Sequence, residues 1–130
     1  MAIKTRQLNH VAIHVANVEV SQQFYENVLL LETISRPAFT FPGAWYRLGS
    51  DQELHLIGDR HQPVHSDSRG NHYALLVDDI DAWEEHLRST QTPYKPRRTR
   101  PDGAFQIYVS DPDGHTIELC TSPPREPAVA

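Results

Sequence analysis

An α+β fold built from two tandem βαβββ modules is predicted by three features of the sequence. The first is an internal repeat, which decides architecture before any single element does. Asn9-His10-Val11-Ala12-Ile13-His14-Val15 returns as Asn71-His72-Tyr73-Ala74-Leu75-Leu76-Val77, with Asn, His, Ala and Val identical at a constant offset of 62. The second is a helix-spaced apolar stretch after each copy. The third is a hairpin signal closing each half.

In chain order, the alternating run at 10–15 predicts a first strand. Val18, Ser21, Phe24, Tyr25, Val28 and Leu29 then fall at helical spacing, with Asn17 as a candidate N-cap. Phe39–Phe41 offers a short strand. Ala44–Leu48 and Glu53–Ile57 are strands separated by Gly49-Ser50-Asp51-Gln52, whose composition suits a hairpin turn. The second module repeats the plan. Its helix is marked by Ile80, Trp83 and Leu87 behind the cap candidates Asp78 and Asp79. Tyr94-Lys95 is a possible strand, and Phe105–Ser110 and His115–Cys120 flank the stronger turn Asp111-Pro112-Asp113-Gly114. The whole, 1–130, reads as one domain. Module one covers about 8–58, a Pro/Ser/Gly linker 59–70, module two about 71–120, and a proline-rich tail 121–130.

At 130 residues the chain has the length of one ordinary domain, able to bury roughly two thirds of its unfolded surface. A net charge of -5 argues against a nucleic-acid partner. The lone cysteine, Cys120, excludes an intrachain disulfide and a cysteine-based zinc cluster. No apolar run has the length of a signal peptide or a membrane span, so a cytoplasmic location without membrane attachment is expected.

Strand alternation sorts the residues by face. Val11, Ile13 and Val15 point toward the helix, and His10, Ala12 and His14 point away. In the second copy His72, Ala74 and Leu76 form the matching outward set. Leu54-His55-Leu56-Ile57 aligns with Ile117-Glu118-Leu119-Cys120 at an offset of 63, so His55 stands where Glu118 stands. Under this pseudo-symmetry His10, His55, His72 and Glu118 face one cavity, with the sheets forming a cup around it. Three imidazoles and a carboxylate suit a divalent ion such as Zn, Ni, Fe, Mn or Co. Four such ligands leave two adjacent octahedral positions for a substrate that chelates through two oxygens.

Leu8-Asn9-His10-Val11-Ala12-Ile13, Phe24-Tyr25-Glu26-Asn27-Val28-Leu29, Asn71-His72-Tyr73-Ala74-Leu75 and Asp111-Pro112-Asp113-Gly114-His115-Thr116-Ile117-Glu118-Leu119 resemble the vicinal oxygen chelate superfamily. That group includes glyoxalase I, fosfomycin-resistance thiol transferases, methylmalonyl-CoA epimerase, extradiol dioxygenases and bleomycin-binding proteins. The resemblance runs from about Leu8 to Cys120. It implies metal ligation by His10, His72 and Glu118, with His55 at the remaining position and Glu53 as the alternative on the same strand face. It also implies a homodimer and a small-molecule substrate. The activity it suggests first is that of a metal-dependent, glyoxalase-like lyase or isomerase. There a metal chelating vicinal oxygens stabilises an enediolate, with Glu118, a metal-bound hydroxide or His55 as the base. Thiol transfer of the fosfomycin-resistance type, ring-cleaving dioxygenation and metal-free drug binding are the alternatives. Two positions depart from the family: His55 stands where Glu or Gln is usual, and His14 where glyoxalase I enzymes tend to carry a glutathione-binding arginine.

Lys95, Arg97, Arg98 and Arg100 form either a solvated basic loop or a clamp for a substrate carboxylate or phosphate. One of Trp45 and Tyr46 should face the cavity. Cys120 is either a pocket thiol or a small buried hydrophobe. His61 and His65 read as solvated linker residues, and His86 and His115 as surface residues.

Overall fold

The computed structural model describes residues 2–124. They fall into two compact units, divided between Gln62 and Pro63. The first contains β1 (His10–His14), α1 (Val18–Asn27), β2 (Glu32–Ile34), β3 (Gly43–Leu48) and β4 (Gln52–Ile57). The second contains β5 (Tyr73–Leu76), α2 (Ile80–Ser89), β6 (Tyr94–Thr99), β7 (Phe105–Ser110) and β8 (Thr116–Cys120). Each unit carries its own four-stranded mixed sheet, in the order β1-β4-β3-β2 and β5-β8-β7-β6. The last strand of each unit lies between the first, to which it runs parallel, and the third, to which it runs antiparallel. The repeat in the sequence is therefore a repeat of topology.

Both helices start where the caps predict. Asn17 Oδ1 accepts from the Val20 amide at 3.0 Å, and Asp79 Oδ1 from the Ala82 amide at 3.0 Å. Each satisfies a backbone donor that the helix leaves open. The buried side of α1 is Val18, Ser21 and Tyr25, and that of α2 is Ile80 and Leu87. Ile13, Val15, Tyr46, Leu54 and Leu56 form the core of the first unit. Ile107, Val109, Ile117 and Leu119 form that of the second. The Asp111–Gly114 turn is held by the Asp111 side chain, which accepts from the Asp113 and His115 amides, while Gly114 takes a left-handed φ of 95°.

Two expectations need correction. Phe39–Phe41 is not a strand; β2 forms earlier, at Glu32–Ile34, where Thr33 and Ile34 pair with Tyr46 and Trp45 of β3. The phenylalanines sit instead in the β2–β3 connection, between Pro37 and Pro42, with the Arg36 guanidinium over both rings. Prolines on either side favour this irregular path because they offer no amide to a ladder. The basic segment is likewise not a loop. Tyr94–Thr99 is the edge strand β6, with a register shift between Lys95 and Arg98, as suits a strand containing Pro96. Of the tail, 121–124 lacks regular structure, and the remainder lies outside the described residues.

Candidate functional site

In the first unit, β1, β4 and β3 bring His10, His55 and Trp45 to one sheet face. Their register rows are His10–Glu53–Arg47 and Ala12–His55–Trp45. The His55 ring lies flat on the Trp45 indole, centroids 3.9 Å apart and planes 3° apart, and the His10 ring stacks on it at 4.2 Å. His55 Nε2 is 2.8 Å from Glu53 Oε1. A carboxylate only accepts, so Nε2 carries the proton and Nδ1 is open. His10 Nδ1 is anchored in the same way on Asn9 Oδ1 at 2.7 Å, which leaves Nε2 open. The choice between Trp45 and Tyr46 is thereby decided for this unit. Trp45 shares the histidine face, whereas Tyr46 is fully buried on the other and donates to Glu26 at 2.9 Å. Burial, reinforced by Glu26, pushes the Tyr46 phenol well above its usual range.

The second unit has the corresponding rows. Ala74–Glu118–Tyr108–Lys95 cross the sheet in register, in the places that Ala12, His55, Trp45 and Ile34 hold in the first. Glu118 is only 5% exposed. Its Oε2 accepts from Gln106 Nε2 at 3.1 Å, and its Oε1 is 3.1 Å from His72 Nε2. His72 Nδ1 meets the Gly70 carbonyl at 3.3 Å, so both ring nitrogens face acceptor oxygens while a neutral ring has one proton for the two. With that proton on Nδ1, a cation between Nε2 and Oε1 would satisfy the carboxylate side. Two cis ligands of one ion with bonds of about 2.1 Å stand about 3 Å apart, which matches the His72–Glu118 spacing. Anchoring one ring nitrogen while the other is left to a metal is how protein imidazoles ordinarily bind one. On this chemistry the donor atoms fit a divalent ion. Among the described residues, no three His, Cys, Asp or Glu side chains are gathered into a group that could hold a metal ion.

Around Glu118, the Tyr108 phenol is pushed up first by burial and then by the Glu118 carboxylate. The Cys120 thiol is raised by the same two causes. Cys120 is half-buried on the Glu118 face, between the two readings of it. Two members of the basic segment are spoken for. Arg97 is held by Asp81 and by Glu84, the latter at 2.6 Å. Arg100 forms a two-pronged pair with Asp102, at 2.9 and 2.6 Å; this guanidinium, helped by the Ala104 amide, pulls the Asp102 carboxyl down to about 2. His14 is tied to the Gly58 carbonyl at 2.8 Å. His61 and His65 are exposed, while His86 is half-buried against the edge of Trp83.

Sequence reasoning missed Gln106 and Tyr108, the Glu118 neighbours on β7. Both sit at outward positions of a strand already recognised, so alternation alone could have found them. It also missed the folding of the linker. Ser66 Oγ donates to the Asn71 carbonyl at 2.6 Å and accepts from the Thr116 amide at 2.8 Å, tying 66–71 to the start of β8. Together with β6 and β7 this stretch lines an open cavity of about 510 Å³.

Two βαβββ units of one topology present histidines and a buried glutamate at corresponding strand positions. The chain belongs to the Glyoxalase/Bleomycin resistance protein/Dioxygenase superfamily, which its residues 7–119 match. It is 28% identical over 119 residues to the metallothiol transferase FosB of Bacillus licheniformis, covering 88% of this chain and 74% of that one. To Glyoxylase I 4 of Arabidopsis thaliana it is 29% identical over 122 residues, 87% of this chain and 69% of that one. Among solved structures, a putative glyoxalase family protein from Bacillus anthracis superposes with a TM-score of 0.79 at 27% identity, covering 94% of this chain and 99% of that one. No helix among the described residues is long and apolar enough to cross a membrane.

Proposed function

We propose that the chain is a metal-dependent lyase or isomerase acting on a small substrate that offers two adjacent oxygens, by removal of a proton next to a carbonyl. His10, His72 and Glu118 supply donor atoms for a divalent transition metal, with His55 either the fourth donor or, off the metal, the base. The observation that carries this reading is His72 Nε2 facing Glu118 Oε1 at 3.1 Å while Nδ1 is anchored on a carbonyl. When bound, the ion supplies Lewis-acid polarisation of the substrate oxygens.

The protein's own groups divide the remaining tasks. As a metal ligand, Glu118 would accept a substrate proton only on partial release from the ion. His55 Nδ1 needs no such release. It is open, and the Glu53 carboxylate on Nε2 stabilises the imidazolium that proton uptake creates. Trp45 and His10 fix the ring plane. A cytoplasmic homodimer with a small-molecule substrate belongs to the same reading.

Thiol transfer is the second reading. It is favoured by the relatives named metallothiol transferase and by the lysine-bearing cavity beside Tyr108.

The test is elemental analysis of the purified protein beside His72→Ala, each after incubation with Zn, Ni, Mn or Fe(II). A bound equivalent in the wild type that is lost in the variant supports the metalloenzyme reading. A wild type that binds no metal overturns it in favour of a ligand-binding module. Dicarbonyl–thiol adducts and thiol–epoxide pairs, assayed side by side, separate the two reactions.

A further inference from the structure

The cavity in the second unit is lined by Ser66, Ser68, Lys95, Tyr108, Ser110 and Thr116, among others. We infer that it is an oxyanion subsite, in which Lys95 and the surrounding hydroxyls bind a carboxylate, phosphate or phosphonate group of the substrate. The inference deepens the proposed function, and rests on it in treating the bound molecule as a substrate.

Four observations support it. First, of the cations at 95–100, Arg97 and Arg100 are neutralised by Asp81, Glu84 and Asp102. Lys95 and Arg98 have no ion-pair partner among the described residues, and of the two it is Lys95 that lines the cavity. Second, the acidic lining residue, Asp67, is turned into its own loop, where Oδ1 accepts from the Arg69 and Gly70 amides. Third, the remaining polar lining is largely hydroxyl, and apart from Ser66, whose proton goes to the Asn71 carbonyl, these hydroxyls can donate to an oxyanion without adding charge. Fourth, Lys95, Tyr108 and Glu118 occupy one register row on consecutive strands. At a strand spacing of about 4.8 Å, the Lys95 backbone is about 10 Å from that of Glu118. One small molecule can therefore hold its anionic group at Lys95 and its reacting oxygens near Glu118. The volume, about 510 Å³, lies within the range of small-molecule sites, about 300–1,000 Å³.

Lysine here acts as a compact point charge on a flexible stem and does not impose the two-pronged geometry of arginine. The site therefore selects for charge more than for the shape of the anion.

The experiment is amide-resolved NMR titration of the full chain, metal-loaded and after chelation, with three probes: propionate, methylphosphonate and neutral propionamide. Shifts at 66–68, Lys95, Ser110 and Thr116 are expected with the two anions and not with the amide. Binding should weaken by about tenfold or more in Lys95→Met, in line with loss of a charged hydrogen bond, and recover in part in Lys95→Arg. The stronger of the two anions identifies the group. Equal shifts with propionamide, or anion binding unchanged in Lys95→Met, would overturn the subsite. Lys95 is exposed, so its replacement should leave the rest of the spectrum in place. Lys95-dependent anion binding in a protein that takes up no metal would sink the proposed function and leave the subsite standing; metal uptake without it would do the reverse.

Discussion

Trp45 and His55 lie face to face at paired positions of β3 and β4, with centroids 3.9 Å apart and planes within 3°. With His10 on the far side of the imidazole, the His55 ring is held on both faces and anchored at its edge by Glu53. Trp45→Phe keeps a ring in the stack and Trp45→Leu does not. The leucine variant should be less stable than the phenylalanine variant by about 1 kcal/mol. Urea unfolding of the two checks this, and coincident midpoints would show that the stack contributes nothing.

Glu118→Gln keeps the shape of the side chain and removes its charge. The amide can still accept from Gln106, but it ligates a cation poorly. Metal content should fall by about tenfold or more, and turnover with it. Circular dichroism should be unchanged, and full metal content in the variant would refute the ligand role.

Tyr46→Phe strips the half-buried Glu26 carboxylate of its hydroxyl donor and should cost about 1–3 kcal/mol at neutral pH. The wild type should also show an alkaline loss that the variant lacks. Because the phenol is raised in the folded state, its contribution is complete below the unfolded value of about 10. It is lost as pH rises from there toward the folded value, since the unfolded chain releases the proton first. Denaturant midpoints between pH 8 and 11 test the sign: a wild type that holds its stability up to pH 11 would contradict it.

Asp79→Ala removes the cap from α2. The expected loss is about 1 kcal/mol, and Asp79→Ser should restore most of it. Thermal unfolding of the pair is the measurement, and equal losses in both would assign the effect to something other than the cap.

Most of the fold was legible in the sequence because the repeat shows it twice. A histidine two residues ahead of an outward alanine, as at His10 and His72, marks one position in both halves. Alignment of the closing strands then made His55 the equivalent of Glu118, and the registers give the two residues the same place in their own sheets. What escaped was set by contacts that leave no local pattern. Phe39 and Phe41 have strand-like composition, yet Arg36 and two flanking prolines hold them out of the sheet. Ser66 looks like any linker serine until the Thr116 amide, fifty residues away, binds its hydroxyl. The basic segment reads as one feature, but Asp81, Glu84 and Asp102 divide it into two neutralised arginines, Arg97 and Arg100, and two cations without an ion pair among the described residues, Lys95 and Arg98, of which the lysine lines a cavity. A count of charges along the chain does not separate these cases.

In each sheet the last strand lies between the first and the third, and this sets an order of assembly. The β3–β4 hairpin closes across a short turn, an event of microseconds. Pairing of β1 with β4 joins residues more than forty positions apart and bears a larger loop-closure cost. As the chain leaves the ribosome, Trp45 and His55 can meet as soon as their hairpin has emerged. His10, synthesised long before, has no partner strand until then. The imidazole pair of the first unit is thus completed from its youngest end, with the oldest strand docking last.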